Sequence, residues 1–264
     1  MTSREIAPIG APCWTDLWTS DVEGSRSFYS ALFGWEAHEP NPEFGGYFMF
    51  TQEGAPVAGA MGAMGDMKAD DTWKVYLNTD DINVVVERGE RRGVQFMGPP
   101  MAVADLGTQT VFNDPTGAAL GAWQPGSFQG FSVLEEHGTP SWFELHTSDY
   151  VEALAFYQDV FGLQALPMSD SDEFRYSTLR SKGEQADVAG IFDASAILSP
   201  GVPSYWTTYW EVNDVDASVT TLRSLGGSVL DGPADTPYGR IATVADPRGA
   251  KFRLRTGVPS PQLA

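Results

Sequence analysis

The sequence has one cysteine, Cys13, and lacks both a long apolar run and a basic cluster. One cysteine can form neither an internal disulfide nor a thiolate metal cluster, so a reducing, cytoplasmic location is expected. No apolar run approaches the roughly 18 residues that a membrane-spanning helix needs, and the amino terminus has no signal-peptide core. We therefore expect neither membrane insertion nor export.

Basic residues and histidines are also few. There are 16 Lys and Arg against 35 Asp and Glu, which gives a formal net charge of −19. Such a chain repels phosphate groups, so neither nucleic acid nor an anionic membrane is an expected partner. The histidines are only three: His38, His137 and His146. The 264 residues, of which 42% are hydrophobic, fit a folded protein of two ordinary domains.

What the sequence does contain is an internal repeat. Residues 12–21, PCWTDLWTSD, align without a gap on residues 140–149, PSWFELHTSD, 128 positions later. Asn-Asp-Pro-Thr-Gly at 113–117 returns as Ala-Asp-Pro-Arg-Gly at 245–249. Two such matches in the same order indicate a tandem duplication, with small loop insertions between the copies.

Each copy has the pattern of short strands and two helices. In the first copy, alternating residues 13–19 predict a strand, Ser20-Asp21 supply a helix N-cap, and Gly34 ends the helix. After two short strands the unit recurs, with Asp80-Asp81 before a second helix that ends near Gly93. The other strands of the first copy are predicted near 46–52, 56–60, 73–78, 94–97, 107–112 and 118–123.

These elements predict an α+β fold of two tandem domains. Each domain is expected to be a pair of βαβββ modules whose mixed sheet curves into a cup, with the helices outside. The predicted bounds are 1–11 for an N-terminal tail, 12–124 for the first domain, 125–139 for a linker, 140–256 for the second domain and 257–264 for a C-terminal tail.

The repeated pattern resembles a known superfamily. A strand, Ser/Thr-Asp, a helix ending in Phe-Tyr-x-x-x-Phe-Gly and a later Asp-Pro-x-Gly are similar to the vicinal oxygen chelate superfamily of glyoxalases, bleomycin-resistance proteins and extradiol dioxygenases. The chain most resembles the tandem two-domain glyoxalase-like proteins of actinobacteria. The resemblance implies a cup that in many members holds a divalent metal through His, Glu or Gln.

The metal positions that the resemblance implies are occupied by unusual residues. They lie seven residues before each helix-capping Asp and seven after the Asp of Asp-Pro-x-Gly. None of the residues there is a common ligand of a first-row metal. We therefore expect no cofactor, and a divalent metal only at a non-standard site. The six residues are Trp14, Lys74, Gly121, Trp142, Thr207 and Arg253.

Two carboxylates are predicted to point into the cups. Because strand side chains alternate, Glu144 and His146 share the inner face of the second cup, and Asp16 has the matching place in the first. A carboxylate among aromatic residues is costly unless it is paired. It is therefore either functional or part of a structural ion pair, with Lys74 and Arg253 as the candidate partners. His146 is either a base or ligand-orienting group, or a half-buried structural histidine.

Aromatic residues on the same inner faces suggest the kind of ligand. They suit a flat apolar molecule, although the same rings would also serve to fill the cups. We therefore expect binding of a small hydrophobic, aromatic molecule. The predicted binding residues are Trp14, Asp16, Trp18, Trp142, Tyr205, Tyr209 and Glu211.

An enzyme of the same superfamily is the alternative. It would be of the lyase, isomerase or dioxygenase type, with a non-standard metal site or with acid/base catalysis by Glu144 and His146 and with Arg253 as electrostatic partner. A non-catalytic interaction protein is a third possibility. The chain is expected to be a monomer or a homodimer, and the second cup is the one favoured for activity.

Overall fold

The computed structural model describes residues 2–63, 65, 68–171 and 173–257. Its first half contains helices α1 (Val22–Phe33) and α2 (Ile82–Arg91), with the strands β1 (Thr2–Ser3), β2 (Pro12–Trp18), β3 (Glu36–Ala37), β4 (Phe48–Gln52), β5 (Ala55–Met61), β6 (Thr72–Asn78), β7 (Met101–Val103), β8 (Gly107–Asn113) and β9 (Ala119–Pro125).

The second half repeats this order after β10 (Val133–Leu134). It contains helices α3 (Tyr150–Phe161) and α4 (Val215–Ser224), with the strands β11 (Pro140–Thr147), β12 (Gln164–Asp170), β13 (Arg175–Arg180), β14 (Asp187–Asp193), β15 (Tyr205–Glu211), β16 (Ser228–Thr236), β17 (Gly239–Ala245) and β18 (Lys251–Thr256).

Each half forms one open eight-stranded sheet. The strand orders are β3-β4-β5-β2-β6-β9-β8-β7 and β12-β13-β14-β11-β15-β18-β17-β16. The two modules of each half join where β2 lies antiparallel to β6, and where β11 lies antiparallel to β15. The predicted α+β fold of two tandem domains, each a pair of modules, is confirmed.

The helices begin and end where the repeated motif indicates. The side chain of Asp21 accepts from the backbone N–H of Gly24, and Gly34 ends α1 in the left-handed region with φ of 78°. Asp149 and Gly162 do the same for α3, with φ of 69° at the glycine. A carboxylate at the N-cap and a glycine at the C-cap satisfy backbone groups that the helix leaves open.

One predicted strand of the first half is wrong. Residues 94–97 form only an isolated bridge, between Phe96 and Phe112, and the regular strand is the three-residue β7. Between them stands Gly98-Pro99-Pro100. Because proline has no N–H to donate, it interrupts the hydrogen-bonded ladder at this sheet edge.

The two halves pack through their helix-bearing faces. Helix α1 shares a hydrophobic core with β15, β18 and α4 of the other half, and α3 shares a second core with β6, β8 and β9. Trp35 and Trp210, for example, meet with ring centroids 4.9 Å apart. The helices therefore lie outside both cups, between the sheets, and the cups face away from the interface.

Residues 125–139 pack closely against the domains. Strand β10 pairs with β1, so the N-terminal segment is fixed by the segment that joins the halves. Phe128 and Phe131 contact Trp14, with ring centroids 4.8 and 5.2 Å away. Among the described helices, none has the length and apolar character to cross a membrane. Residues 258–264 of the predicted C-terminal tail lie outside the described part.

Candidate functional site

Each cup contains a buried carboxylate at the same place in the repeat. Asp16 on β2 is 6% exposed, and Glu144 on β11 is 7% exposed. Both lie on the inner face, as the strand alternation predicts. Each carboxylate faces two tyrosines that also repeat: Tyr47 and Tyr76 in the first cup, and Tyr176 and Tyr209 in the second.

A glycine on the neighbouring strand lets one tyrosine approach each carboxylate. A Cβ atom at Gly59 would lie 1.9 Å from the hydroxyl oxygen of Tyr47, and one at Gly190 would lie 1.8 Å from that of Tyr176. No side chain can be accommodated at such distances, so the tyrosine hydroxyls lie directly over the backbone of β5 and β14. The two cups therefore share one framework of carboxylate, tyrosine pair and glycine.

In the first cup, the described donors to the carboxylate are all neutral. The Tyr47 hydroxyl and the Trp14 indole each donate to Asp16 Oδ1 at 2.8 Å, and Tyr76 donates to the same carboxylate. Burial raises the pKa of Asp16 to about 6, although these three hydrogen bonds and the more distant Lys74 act in the opposite direction.

Lys74 is not the ion-pair partner of Asp16 that the sequence suggested. Its Nζ lies 2.8 Å from both carboxylate oxygens of Asp70 and 4.3 Å from the ring centre of Trp18. The Asp70 side chain is half exposed, so pairing with it avoids the desolvation of a second buried charge. Asp16 is consequently left without a contacting cation among the described residues.

In the second cup, cationic and neutral donors surround the carboxylate. Glu144 Oε1 accepts from the Tyr209 hydroxyl at 2.9 Å and from Arg253 Nη1 at 3.0 Å, and His146 Nε2 is 2.8 Å away. Arg253 also donates to the Tyr209 hydroxyl. Burial alone would raise the pKa of Glu144, but His146, Arg253 and Tyr209 outweigh burial and hold it below its usual value. Glu144 is therefore ionised at neutral pH.

His146 is buried beside this carboxylate. It is 2% exposed, and its ring stacks on Tyr205 with centroids 4.9 Å apart and an angle of 8°. Its Nε2 is at ion-pair distance from Glu144 but is not aligned as a hydrogen-bond donor, and Nδ1 has no hydrogen-bond partner among the described residues. One polar atom of this ring is thus available for a further interaction.

The difference between the cups comes from the position of the cation in the repeat. Thr207 stands on β15 where Lys74 stands on β6, and Arg253 stands on β18 where Gly121 stands on β9. A Cβ at Gly121 would lie 2.2 Å from the Tyr76 ring, so no cation fits there in the first cup. The same framework therefore holds an uncompensated carboxylate in one half and an ion pair in the other.

Aromatic rings at the second centre reach the surface. Trp142, Tyr176 and Tyr205 are each partly exposed, and the Trp142 indole donates to the Tyr176 hydroxyl at 3.1 Å. In the first cup the equivalent Trp14 is only 5% exposed, because Phe128 and Phe131 pack on it. The second cup thus presents more of its aromatic wall to solvent.

Glu211 lies apart from the cluster around Glu144. It follows Tyr209 on the same face of β15, but its Oε1 accepts from the backbone N–H of Gly257 at 3.0 Å and its Oε2 is 3.9 Å from Arg255 Nε. Of the residues predicted for the second cup, the structure brings together Glu144, His146, Arg253 and Tyr209, with Trp142 and Tyr205 adjoining them.

Groups that could bind a metal are sparse at both centres. In the described part of the chain, no three His, Cys, Asp or Glu side chains come close enough to hold one. At the positions where the resemblance implies ligands, the Trp142 indole N–H donates to a tyrosine and Arg253 is engaged in an ion pair. Both groups are donors without a free lone pair for a metal.

Sequence reasoning missed Tyr47, Tyr76 and Tyr176. A signal for them exists, because Tyr47 and Tyr176 are 129 positions apart and Tyr76 and Tyr209 are 133 apart, close to the period of the repeat. Aligning the copies beyond their strongest motifs would have found both pairs.

Known proteins are similar to this chain in sequence and in fold. The model of the Glyoxalase/Bleomycin resistance protein/Dioxygenase superfamily matches twice, over residues 12–121 and 139–254. The putative glyoxylase CFP32 of Mycobacterium tuberculosis is 38% identical over 270 residues, which cover 99% of this chain and 100% of that protein. The anthracycline biosynthesis protein DnrV of Streptomyces peucetius is 35% identical over 268 residues, covering 95% and 96%.

A solved structure agrees at the level of the fold. The Mn(II)-bound glyoxalase from Novosphingobium aromaticivorans superposes with a TM-score of 0.64 over 95% of this chain and 83% of that one, with 16% sequence identity. At this identity the likeness concerns the arrangement of strands and helices only. The mycobacterial and streptomycete relatives confirm the predicted resemblance to two-domain actinobacterial proteins.

Proposed function

Because this chain belongs to the glyoxalase, bleomycin resistance protein and dioxygenase superfamily, we propose that it is a metal-independent binding protein for a small, flat aromatic molecule, with the second cup as its site. The observation that carries the proposal is the presence of partly exposed rings, those of Trp142, Tyr176 and Tyr205, around an ionised Glu144.

The rings and the polar groups would have separate roles. Stacking on an indole or phenol ring favours a planar ligand without specifying it, and a few fixed polar groups then set its orientation. Glu144 accepts hydrogen bonds, so a phenolic hydroxyl on the ligand is a suitable donor to it. Arg253 donates to an anionic or carbonyl oxygen, and Nδ1 of His146 offers one more polar contact.

The named relatives support this ligand class. DnrV is named for anthracycline biosynthesis, and anthracyclines contain flat fused rings with phenol and quinone oxygens. An aromatic wall beside a carboxylate and a guanidinium matches such a molecule in shape and in hydrogen-bonding groups. The proposed ligand class is therefore that of flat, fused-ring phenols and quinones.

Fluorescence titration tests the proposal. In the presence of EDTA, 1,8-dihydroxyanthraquinone is expected to quench tryptophan emission in a saturable manner, with one molecule bound per chain. Glu144→Gln removes the charge that accepts the phenol, so the dissociation constant should rise about 10-fold or more. Asp16→Asn, the equivalent change in the first cup, is the matched control and should leave the dissociation constant unchanged.

Two results would contradict the proposal. The first is quenching that never saturates, or that disappears with EDTA and returns with a divalent metal. The second is loss of binding in Asp16→Asn with retention in Glu144→Gln, which would move the site to the first cup. Circular dichroism of each variant separates loss of binding from loss of fold.

Acid/base catalysis is a second candidate, favoured by one contact. His146 Nε2 lies 2.8 Å from Glu144, and Arg253 next to them is suited to stabilise an oxyanion. A relative is named a putative glyoxylase. However, a general base works best with a pKa near the working pH, and the pKa of Glu144 is held below its usual value. We therefore rank binding first.

An isotope-exchange experiment distinguishes the two candidate functions, binding and acid/base catalysis. With EDTA present, the hemithioacetal of methylglyoxal and glutathione is incubated in D2O with the protein, and the carbon-bound proton is followed by NMR. Catalysis predicts exchange or product formation that Glu144→Gln abolishes. A pure binding protein leaves the proton signal at its uncatalysed rate.

A further inference from the structure

A row of aromatic rings crosses the inner face of the second sheet. The four rings stand directly opposite one another on the neighbouring strands β13, β14, β11 and β15, and three of them are partly exposed. Because neighbouring strands lie about 4.8 Å apart, the row extends over about 14 Å of the sheet. The members of this aromatic row are Tyr176, Phe192, His146 and Tyr205.

Phe174 continues the aromatic row beyond its first member. It directly precedes β13, two residues before Tyr176, so the two side chains lie on the same face. Their rings are nearly parallel, with centroids 5.7 Å apart and an angle of 7°, and the Phe192 ring centroid is 5.6 Å from that of Phe174. Phe174 is nevertheless 46% exposed. Its ring is therefore packed against the row on one side and open to solvent on the other.

The backbone of Phe174 is fixed by two nearby serines. The Ser169 hydroxyl donates to the Phe174 carbonyl at 2.8 Å, and the Phe174 N–H donates to the Ser171 hydroxyl at 3.1 Å. The backbone N–H of Ser171 donates to the same carbonyl at 3.2 Å. A ring on a backbone held in this way loses little conformational freedom when a ligand stacks on it, and such preorganisation strengthens binding.

The first half folds without this set of rings. At the place of Phe174 in the repeat, two residues before the matching tyrosine, stands Gly45. Trp18 stands at the place of the histidine, and its partners on the two flanking strands are Met61 and Thr72, where the second half has rings. Because the same fold forms with these non-aromatic residues, the fold does not require the full row. The row and Phe174 are a property of the second cup alone.

On the basis of the proposed function of the second cup, we propose that Phe174 selects ligands by length: it stacks on the ring of a fused-ring phenol that lies farthest from Glu144. The Tyr176 hydroxyl contacts Glu144, and Phe174 lies on the far side of Tyr176 from that carboxylate. A single-ring phenol that donates to Glu144 therefore reaches the Tyr176 ring. Further fused rings extend the ligand to Phe174.

The stacking on Phe174 has a measurable size. A stacked pair of rings corresponds to about a 3- to 10-fold change in a dissociation constant. Only ligands long enough to reach Phe174 gain this contribution. The ratio of the dissociation constants of a one-ring and a three-ring ligand therefore reports on Phe174, whereas a general disturbance of the cup would change both constants together.

Fluorescence titration with two ligands tests the role of Phe174. The three-ring ligand is 1,8-dihydroxyanthraquinone, and 2-hydroxyacetophenone presents the same phenol and carbonyl groups on one ring. Phe174→Ala should raise the Kd of the three-ring ligand about 3- to 10-fold and leave that of the one-ring ligand unchanged. Phe174→Tyr keeps the ring and should bind both ligands like the wild type. Phe44→Ala is the matched control, because Phe44 is a 38% exposed phenylalanine in the first half, and it should change neither Kd.

The outcomes separate this proposal from the proposed function. With saturable binding to the wild type, equal weakening of both ligands by Phe174→Ala would overturn the role of Phe174 alone, as would an unchanged Kd of the three-ring ligand. The same weakening in Phe44→Ala would also overturn it. A wild-type protein that binds neither ligand saturably would overturn both proposals. If Phe174→Ala does not fold, Phe174→Leu serves in its place, since leucine keeps an apolar side chain there without the ring.

Discussion

Tyr157 on α3 donates a 2.8 Å hydrogen bond to Asp114, which follows β8 in the other half of the chain. Asp114 belongs to the repeated Asp-Pro-x-Gly turn, and its other oxygen accepts from the backbone N–H groups of Thr116 and Ala118. One carboxylate therefore holds its own turn and also joins the two domains.

The duplication repeats this contact. Tyr29 on α1 donates to Asp246 at 3.0 Å, again across the interface between the halves. In both places a tryptophan of the tyrosine's own half donates to its hydroxyl: Trp206 at 2.8 Å and Trp73 at 3.1 Å. These two tryptophans thus stabilise the interface and take no part in the cups.

Removing one of these hydroxyls should destabilise the protein. In Tyr157→Phe, Asp114 loses a buried donor and Trp206 loses its acceptor, so the free energy of unfolding should fall by about 1–3 kcal/mol. Urea denaturation measures this. Tyr238→Phe, at a residue that is 61% exposed, is the control and should have almost no effect. A loss below about 0.5 kcal/mol in Tyr157→Phe would show that the bond contributes little.

Ionisation of Asp16 should make the folded protein less stable as the pH rises from about 4 to 7. Its pKa is about 6 in the folded chain against an ordinary value of 3.8, so between these values the unfolded chain has lost the proton that the folded chain keeps. Between pH 4 and pH 7 this difference in pKa corresponds to a loss of about 2 kcal/mol of stability. The lowered pKa of Glu144 acts in the opposite sense, because its contribution to stability is lost as pH falls.

Urea denaturation of Asp16→Asn isolates the Asp16 effect. The stability of the variant minus that of wild type should increase by about 2 kcal/mol from pH 4 to pH 7, whatever constant difference the new amide introduces. A difference that does not change with pH would mean that Asp16 ionises normally in the folded protein.

Replacing one partner of the Glu144–Arg253 ion pair should destabilise the protein much more than replacing both. Arg253→Met leaves a buried carboxylate without its guanidinium, so the free energy of unfolding should fall by about 3–5 kcal/mol. Adding Glu144→Gln should recover a large part of the loss. Chemical denaturation of the two single variants and the double variant gives the coupling energy, and strictly additive losses would show that the two side chains act independently.

Gly190 should not accept a side chain. In Gly190→Ala the new methyl would overlap the Tyr176 hydroxyl, so the tyrosine must move away from Glu144, at a cost of about 1–3 kcal/mol. A Cβ at Gly98 meets nothing within 4 Å, so Gly98→Ala serves as the control. Thermal unfolding compares the two variants. Equal Tm values would mean that Tyr176 adjusts without cost.

Much of the fold could be predicted because its signals are local. Asp21 and Asp149 cap helices through bonds to residues three positions away, and Gly34 and Gly162 end them through their own backbone angles. Strand alternation placed Asp16, Glu144 and His146 on inner faces for the same reason. The repeat then extended each local signal to the second half.

The partners of the site residues could not be predicted in the same way. Whether Lys74 pairs with Asp16 or with Asp70 depends on which carboxylate is exposed, and exposure is known only when the sheet and its loops are assembled. The approach of Tyr176 to Glu144 requires strands β13, β14 and β11 to lie side by side, with a glycine in the middle strand.

The sequence by itself determined the duplication, the βαβββ order, the two inward carboxylates and the absence of common ligands at the positions where the superfamily resemblance implies a metal. These features are encoded in short segments and in their spacing. The tertiary structure decided that one carboxylate has neutral partners and the other an ion pair, and that the domains join through Tyr157 and Asp114. Such features depend on contacts between residues far apart in sequence, and their energies follow from burial, which the order of residues alone does not fix.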